Sequence, residues 1–200
     1  MQEIGQVPGA TDGADFRRAL KDHYGVTLKR FLKTFPIFAV MCVSLFVTKS
    51  EYLIPLAIIG MFGSLITAVG CYARLSLIWR CSRVFRAYPV AFRGPIEKMN
   101  LERYARSRLR LRFGEPADQS TTMLAKSALG RYGWPAGIED GVWFAGDDPF
   151  GGVAIVPSTG ELLFMQPSEW MLLAEERESA GEARIEQARR AGIRKAVSYR

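Results

Sequence analysis

The sequence predicts an α+β membrane protein: a transmembrane helical hairpin, then a small antiparallel β domain and C-terminal helices. Three observations predict it. Two apolar runs, 34–48 and 52–73, are separated only by Lys49, Ser50 and Glu51. Within 106–166, stretches of strand length are punctuated by glycine and proline turns. After Gln166 and Pro167 the chain turns polar and helix-forming.

The run 52–73 carries no charge and, at about 22 residues, makes a helix about 33 Å long. That suffices for a bilayer core of roughly 30 Å. Pro55 falls in its first turn, where a missing N–H is tolerated. The run 34–48 has only about 15 uncharged residues, at the short end for a span. Phe31 and Leu32 extend it if Lys33 snorkels to the headgroups. A pair of buried helices in a soluble protein is the competing reading, and it suits runs of about 10–14 residues. The short link makes the two helices antiparallel neighbours. Gly60, Ser64 and Ala68 recur at four-residue spacing beside Gly63, a small-residue stripe that lets helix backbones approach closely in lipid. Gly60, Gly63, Ser64 and Ala68 are therefore the expected helix-packing residues. Their partner is either the first helix or a second copy in a homo-oligomer.

Basic flanks orient the hairpin. Within residues 17–33, Arg17, Arg18, Lys21, Lys29, Arg30 and Lys33 precede it against the single acid Asp22, and Arg80, Arg83, Arg86 and Arg93 follow it. Lys49 and Glu51 cancel in the link. Basic residues near a span favour the cytoplasm, so both termini of this multi-pass protein of the cell membrane are expected there. The formal charge of +7 is arranged in blocks: ten basic and two acidic residues in 80–113, three and eleven in 114–179, six and two in 180–200. Beside a bilayer, such a basic block points to anionic headgroups, and nucleic acid is the rival partner. The expected membrane-surface contacts are Arg80, Arg83, Arg86, Arg108, Arg110 and Arg112. Cys42, Cys71 and Cys81 lie in or next to the hairpin, which rules out a disulfide framework or a cysteine zinc site in the β domain. No cleavable signal peptide is expected, since no small-x-small site follows the first run.

Five segments follow. Residues 1–33 form a basic N-terminal arm, its polar start disordered and its remainder either an interfacial helix with Phe16, Leu20 and Tyr24 on one face or a disordered basic arm. Gly25 is expected to interrupt that helix, and His23, the sole histidine, to be exposed. Residues 34–87 are the hairpin with a cytoplasmic extension, ended by Tyr88 and Pro89. Residues 88–105 read as a linker, looped over 90–100 and broken at Gly94 and Pro95, with one helical turn after it. Residues 106–179 are the β domain. In its first strand Leu109, Leu111 and Phe113 alternate with Arg108, Arg110 and Arg112, so the arginines face outward. Residues 121–129 fit a strand or a short helix; 142–145, 152–156 and 162–165 read as successive strands of a small sheet or open barrel. Ser168 is the expected N-cap of a helix that turns Trp170, Leu173 and Ala174 to the sheet. Residues 180–200 read as an exposed polar helix ending at Gly192, then a basic tail.

The segment Trp143-Phe144-Ala145-Gly146-Asp147, followed by Phe150-Gly151-Gly152, Thr159-Gly160-Glu161-Leu162 and Gln166-Pro167, with Trp134-Pro135 upstream, resembles a group of uncharacterised actinobacterial two-helix integral membrane proteins. The likeness spans roughly residues 35–192. It implies a membrane location and brings no catalytic residue, cofactor or activity with it.

The chemistry open to the β domain is narrow. Beyond residue 87 there is no His and no Cys, which removes Ser–His–Asp and Cys–His catalysis and ordinary zinc ligation. Neither a P-loop nor a dinucleotide fingerprint is present. Carboxylates remain. Asp147 and Asp148 could hold a divalent cation or exchange protons, but Asp-Asp-Pro is first of all a turn. Trp134, Trp143, Phe144 and Phe150 are expected to pack the core rather than line a ligand groove. The function expected is thus non-enzymatic, without cofactor or metal: an integral membrane protein anchoring a small β domain for interaction with a protein partner. A metal-dependent enzyme built on Asp147 and Asp148, or a membrane-tethered nucleic-acid binder using the strand arginines, are the alternatives.

Overall fold

A computed structural model of the chain describes residues 14–49, 51–99, 109–114 and 121–193. The predicted disordered start, the helical turn after residue 100, Arg108 and the basic tail lie outside the described residues. The architecture is α+β: two long helices, a curled antiparallel sheet of seven strands and two short C-terminal helices.

Helix α1 (Ala14–Thr48) runs unbroken through Gly25. The expected interruption is absent because a helix-interior glycine costs only about 1 kcal/mol, and buried contacts flank it on both sides at Phe16, His23 and Thr27. Lys49, with φ 50°, reverses the chain. A 3-10 turn at Glu51–Leu53 then feeds α2 (Ile54–Ala87), with Pro55 in its first turn. Pro89 stops α2 where expected, leaving Tyr88 extended. The continuous segment Glu51–Ala87 is the one helix among the described residues long and apolar enough to cross a membrane, and only 11% of its most apolar window is buried. The apolar half of α1, the shorter run, likewise exposes Ile37, Val40, Val43 and Val47.

The strands are β1 (Val90–Arg93), β2 (Ile96–Lys98), β3 (Leu109–Phe113), β4 (Thr122–Ser127), β5 (Val142–Asp147), β6 (Gly151–Ile155) and β7 (Leu162–Pro167). Their order across the sheet is β1-β5-β6-β7-β4-β3-β2, all neighbours antiparallel. Only Gly94 and Pro95 separate β1 from β2, yet these two hold opposite edges. The sheet must therefore curl until its edges meet at that dipeptide. Gly94 fits the corner because a Cβ there would stand 2.8 Å from the Asp140 carbonyl oxygen. The loop expected over 90–100 is thus the two edge strands of an open, curled sheet, β1 paired with β5 and β2 with β3. Each half is too short to show an alternation in sequence, and each is a strand because an edge awaits it.

Alternate side chains of β5, β6 and β7 enter two different cores. Val142, Phe144, Ala154, Val156, Leu163 and Met165 fill the inside of the curl with Leu109, Leu111, Phe113 and Met123. Trp143, Ala145, Val153, Ile155, Leu162 and Phe164 point outward onto Phe16 of α1, Ile78, Cys81 and Val84 of α2, and Ala188 and Ala191 of α4. Burial on both faces explains why these strands read as continuous apolar runs. Strand β3, covered on one face only, keeps its alternation: Leu109, Leu111 and Phe113 are buried, Arg110 is exposed and Arg112 half-buried.

Two C-terminal expectations are corrected. Ser168 starts no helix: its N–H donates to the Thr122 carbonyl, extending the β4–β7 pairing, and α3 (Ala174–Glu178) begins only after a run of turns. Trp170 joins neither core and stacks under the Arg177 guanidinium, 4.0 Å from its ring centre. Helix α4 (Glu182–Ala191) ends at Gly192 as expected, with φ 77° there, but it is no exposed appendage. Its buried face is small, Ala188 and Ala191, and lies close on α2. The two helices cap each other: Gln187 Nε2 donates to the Ala87 carbonyl and Arg83 Nη2 to the Arg190 carbonyl, both carbonyls at C-terminal ends.

Candidate functional site

The junction between the hairpin and the barrel holds the most unusual chemistry of the described residues. Phe16, Ala19, Leu20 and His23 fall on one face of α1, and that face lies on the barrel. His23 is 6% exposed, not the surface residue expected. Its Nδ1–H donates to the Ala19 carbonyl at 2.8 Å, and its Nε2 accepts the backbone N–H of Leu162 at 3.3 Å. The ring is therefore neutral, with its proton on Nδ1. Burial is the main force holding its pKa below 6.5, aided by Arg131; the Ala19 hydrogen bond, Glu161 and Asp22 pull the other way. A cleft of about 580 Å³ opens beside it, walled by Arg18, Asp22 and Val26 of α1 and by Arg131, Trp143 and Glu161 of the barrel. Glu161 is 5% exposed, accepts the Ser127 hydroxyl proton and lies 3.6 Å from Arg131 Nη1. Both imidazole nitrogens are occupied in holding structure, so His23 works as a latch between helix and barrel.

The Asp147-Asp148 pair diverges. Asp147 receives a bidentate pair from Arg184 of α4, Nη2 to Oδ1 at 2.7 Å and Nε to Oδ2 at 3.0 Å. Asp148 instead accepts from Arg93 Nη1 at 2.6 Å, and Arg93 lies over the interior rings of Phe144 and Phe113, 4.7 and 5.4 Å away. One carboxylate ties α4 to the barrel and the other helps cover the barrel mouth. No group of three or more His, Cys, Asp or Glu side chains suited to a metal ion occurs among the described residues. Tyr88 sits near Asp147 with its hydroxyl buried and unpartnered, its pKa pushed up to about 12 by burial and then by the Asp147 charge. The aromatic concentration is largely packing: Phe144 lies in the inner core, Trp143 and Phe150 in the outer one, and Trp134 packs against the inner one beneath Lys98.

Gly60 and Gly63 face α1 of the same chain. A Cβ on Gly60 would collide with the Cys42 backbone and stand 2.7 Å from the Phe38 carbonyl oxygen, while one on Gly63 would meet the Phe38 ring. Ser64, half-buried, has its hydroxyl enclosed without a partner, and Ala68 is half-buried. Of the arginines, Arg83 packs over the Trp79 ring and bonds α4, and Arg86 lines the cleft between α2 and α4. Arg80 is half-buried on α2. Arg110 and Arg112 point out from β3, across the barrel from the strands that meet α2. Sequence reasoning overlooked His23, Arg93 and Arg184. The signal for the first was present: Phe16, Leu20, His23 and Thr27 follow a helical stripe.

Comparison of the chain with family models, with curated proteins and with solved structures finds no match.

Proposed function

We propose that this chain is a multi-pass membrane protein with both termini in the cytoplasm, whose role is to hold a small β barrel against the inner face of the bilayer for interaction with a protein partner. One observation carries the reading. Both long helices are continuous from a half with exposed apolar side chains into a half whose buried side chains belong to the outer core of the barrel. A barrel bound this way is a rigid outgrowth of the hairpin, unlike a domain on a tether. The basic flanks set the orientation. Arg74 directly follows the uncharged run and Arg80 lies about 10 Å beyond it along the helix, within reach of headgroups. Arg83 and Arg86, at about 15 and 20 Å, serve the contact with α4. The partner's surface is the part of the barrel that the helices leave uncovered, on β2, β3 and β4.

A reporter active only outside the cytoplasm tests the arrangement. It should be silent when fused after Arg200 and active when inserted between Lys49 and Glu51. The reverse pattern would overturn the orientation, and silence at both positions the span itself.

A further inference from the structure

The antiparallel helices α1 and α2 part where the uncharged runs end. The groove between them, about 270 Å³, is walled by Thr27, Arg30 and Phe31 of α1 and by Ile66, Gly70 and Arg74 of α2. No carboxylate lines it. Among the described residues neither the Arg30 nor the Arg74 guanidinium has an ion-pair or hydrogen-bond partner. The arginines do not crowd Gly70, where a Cβ would meet nothing within 4 Å. Gly130 of the barrel stands behind Arg74, where a Cβ would lie 3.9 Å from Nε.

Thr27 supplies a second, independent sign. Thr34, Thr48 and Thr67 each return their hydroxyl proton to the carbonyl four residues earlier in their helix. Thr27 is 2% exposed and makes no such bond; its hydroxyl is enclosed without a partner. A buried hydroxyl left unpaired is costly, and a site for a hydrogen-bonding ligand is one reason to keep it.

We infer that this groove binds one anionic phospholipid. Its phosphate sits between Arg30 and Arg74, with the Thr27 hydroxyl as a further donor once that side chain rotates toward the groove, and an acyl chain runs along Phe31, Ile66 and the open side of Gly70. Two guanidinium groups without a counter-charge match a phosphate, and basic pockets between helices at the cytoplasmic side are suited to lipid headgroups. The apolar floor distinguishes a lipid from free phosphate, which shares the same headgroup chemistry. The inference rests on the membrane reading above.

The test uses the full chain in nonionic detergent, with bound lipid counted by native mass spectrometry. Phosphatidylglycerol, phosphatidylcholine and inorganic phosphate are titrated separately. One phosphatidylglycerol should be retained in preference to phosphatidylcholine. Arg30→Gln and Arg74→Gln should each weaken it about tenfold, whereas Lys29→Gln, which removes the same charge one residue away, should leave it unchanged. Gly70→Leu should weaken lipid binding while leaving phosphate binding alone. Variants are compared only where thermal unfolding matches the parent chain, and Lys29→Gln serves as the folded reference. An equal loss in Lys29→Gln would reduce the site to diffuse charge and overturn it. Phosphate binding as tight as phosphatidylglycerol would assign the groove to a free anion and overturn the lipid. Extraction of the chain from membranes by alkaline carbonate without detergent would remove the membrane reading itself, and this proposal with it; retention there with no lipid preference would remove the proposal alone.

Discussion

Lowering the pH should loosen α1 from the barrel through His23. Burial keeps the imidazole neutral, its pKa below 6.5. Between that depressed value and about 6.5 the unfolded chain binds more protons than the folded one. Stability is therefore complete above pH 6.5 and declines as the pH falls through the folded value. The structural cost is specific: a proton on Nε2 removes the acceptor of the Leu162 N–H and sets two donors against each other at 3.3 Å. An orphaned buried N–H costs about 1–3 kcal/mol. Glu161 and Asp22 offset part of the added charge, while Arg18 and Arg131 oppose it. A loss of about 2 kcal/mol lowers the melting temperature by roughly 4–8 °C for a chain of this size. The assay is thermal unfolding in nonionic detergent between pH 7.5 and 5, followed by the fluorescence of tryptophans that include Trp143, which lines the cleft beside His23. His23→Gln can still present an acceptor but cannot titrate, so it should fold and lose the pH dependence. His23→Leu should be destabilised at every pH. Parallel pH profiles for the parent chain and His23→Gln would refute the reasoning.

The helix contact gives a graded series. Gly60→Ala meets backbone atoms of α1 first and should destabilise by about 1–3 kcal/mol, and Gly63→Ala meets the movable Phe38 ring first and should cost less. Gly70→Ala meets nothing and should gain up to about 1 kcal/mol of helix propensity; equal melting temperatures across the three would mean that the helices do not touch there. Changing Asp147 and Asp148 together to Asn should lower stability by about 1 kcal/mol, because Arg184 is 49% and Arg93 34% exposed. Loss of a divalent-ion-dependent stabilisation in that variant would revive a metal role for the pair. Tyr88→Phe removes a buried hydroxyl without a partner and should leave the melting temperature equal or higher; a clear drop would reveal a bond to that hydroxyl.

What the sequence made legible was local. The apolar runs, the stop at Pro89, the alternation of β3 and the end of α4 at Gly192 each depend on residues within a few positions. What it concealed was set by distant partners. Strands β1 and β2 have no pattern of their own and exist because β5 and β3 offer edges. Helix α4 looks polar throughout because its buried face is made of alanines, which carry almost no hydrophobic signal. His23 looked exposed because its partner Leu162 lies 139 positions away. The carboxylate pair could be recognised as a pair, but its division between Arg184 and Arg93 could not, since one arginine precedes the pair by 55 positions and the other follows it by 37.

The order of the strands also fixes an order of assembly during synthesis. The hairpin is made first, yet the surfaces of Ile78, Cys81 and Val84 are covered by strands β5 to β7 and by α4. Strand β1 cannot pair until residues 142–147 have left the ribosome, and the α2 face stays incompletely covered until Ala188 and Ala191 follow. At about 5–20 residues per second, the roughly 48 residues between β1 and its partner occupy about 2–10 s. Throughout that interval the newly made helix ends present bare apolar surface next to an unpaired edge strand. A chain arranged in this way depends on its last residues to protect its first, and a nascent chain truncated before β5 would carry a helical hairpin bearing an adhesive, uncovered stub.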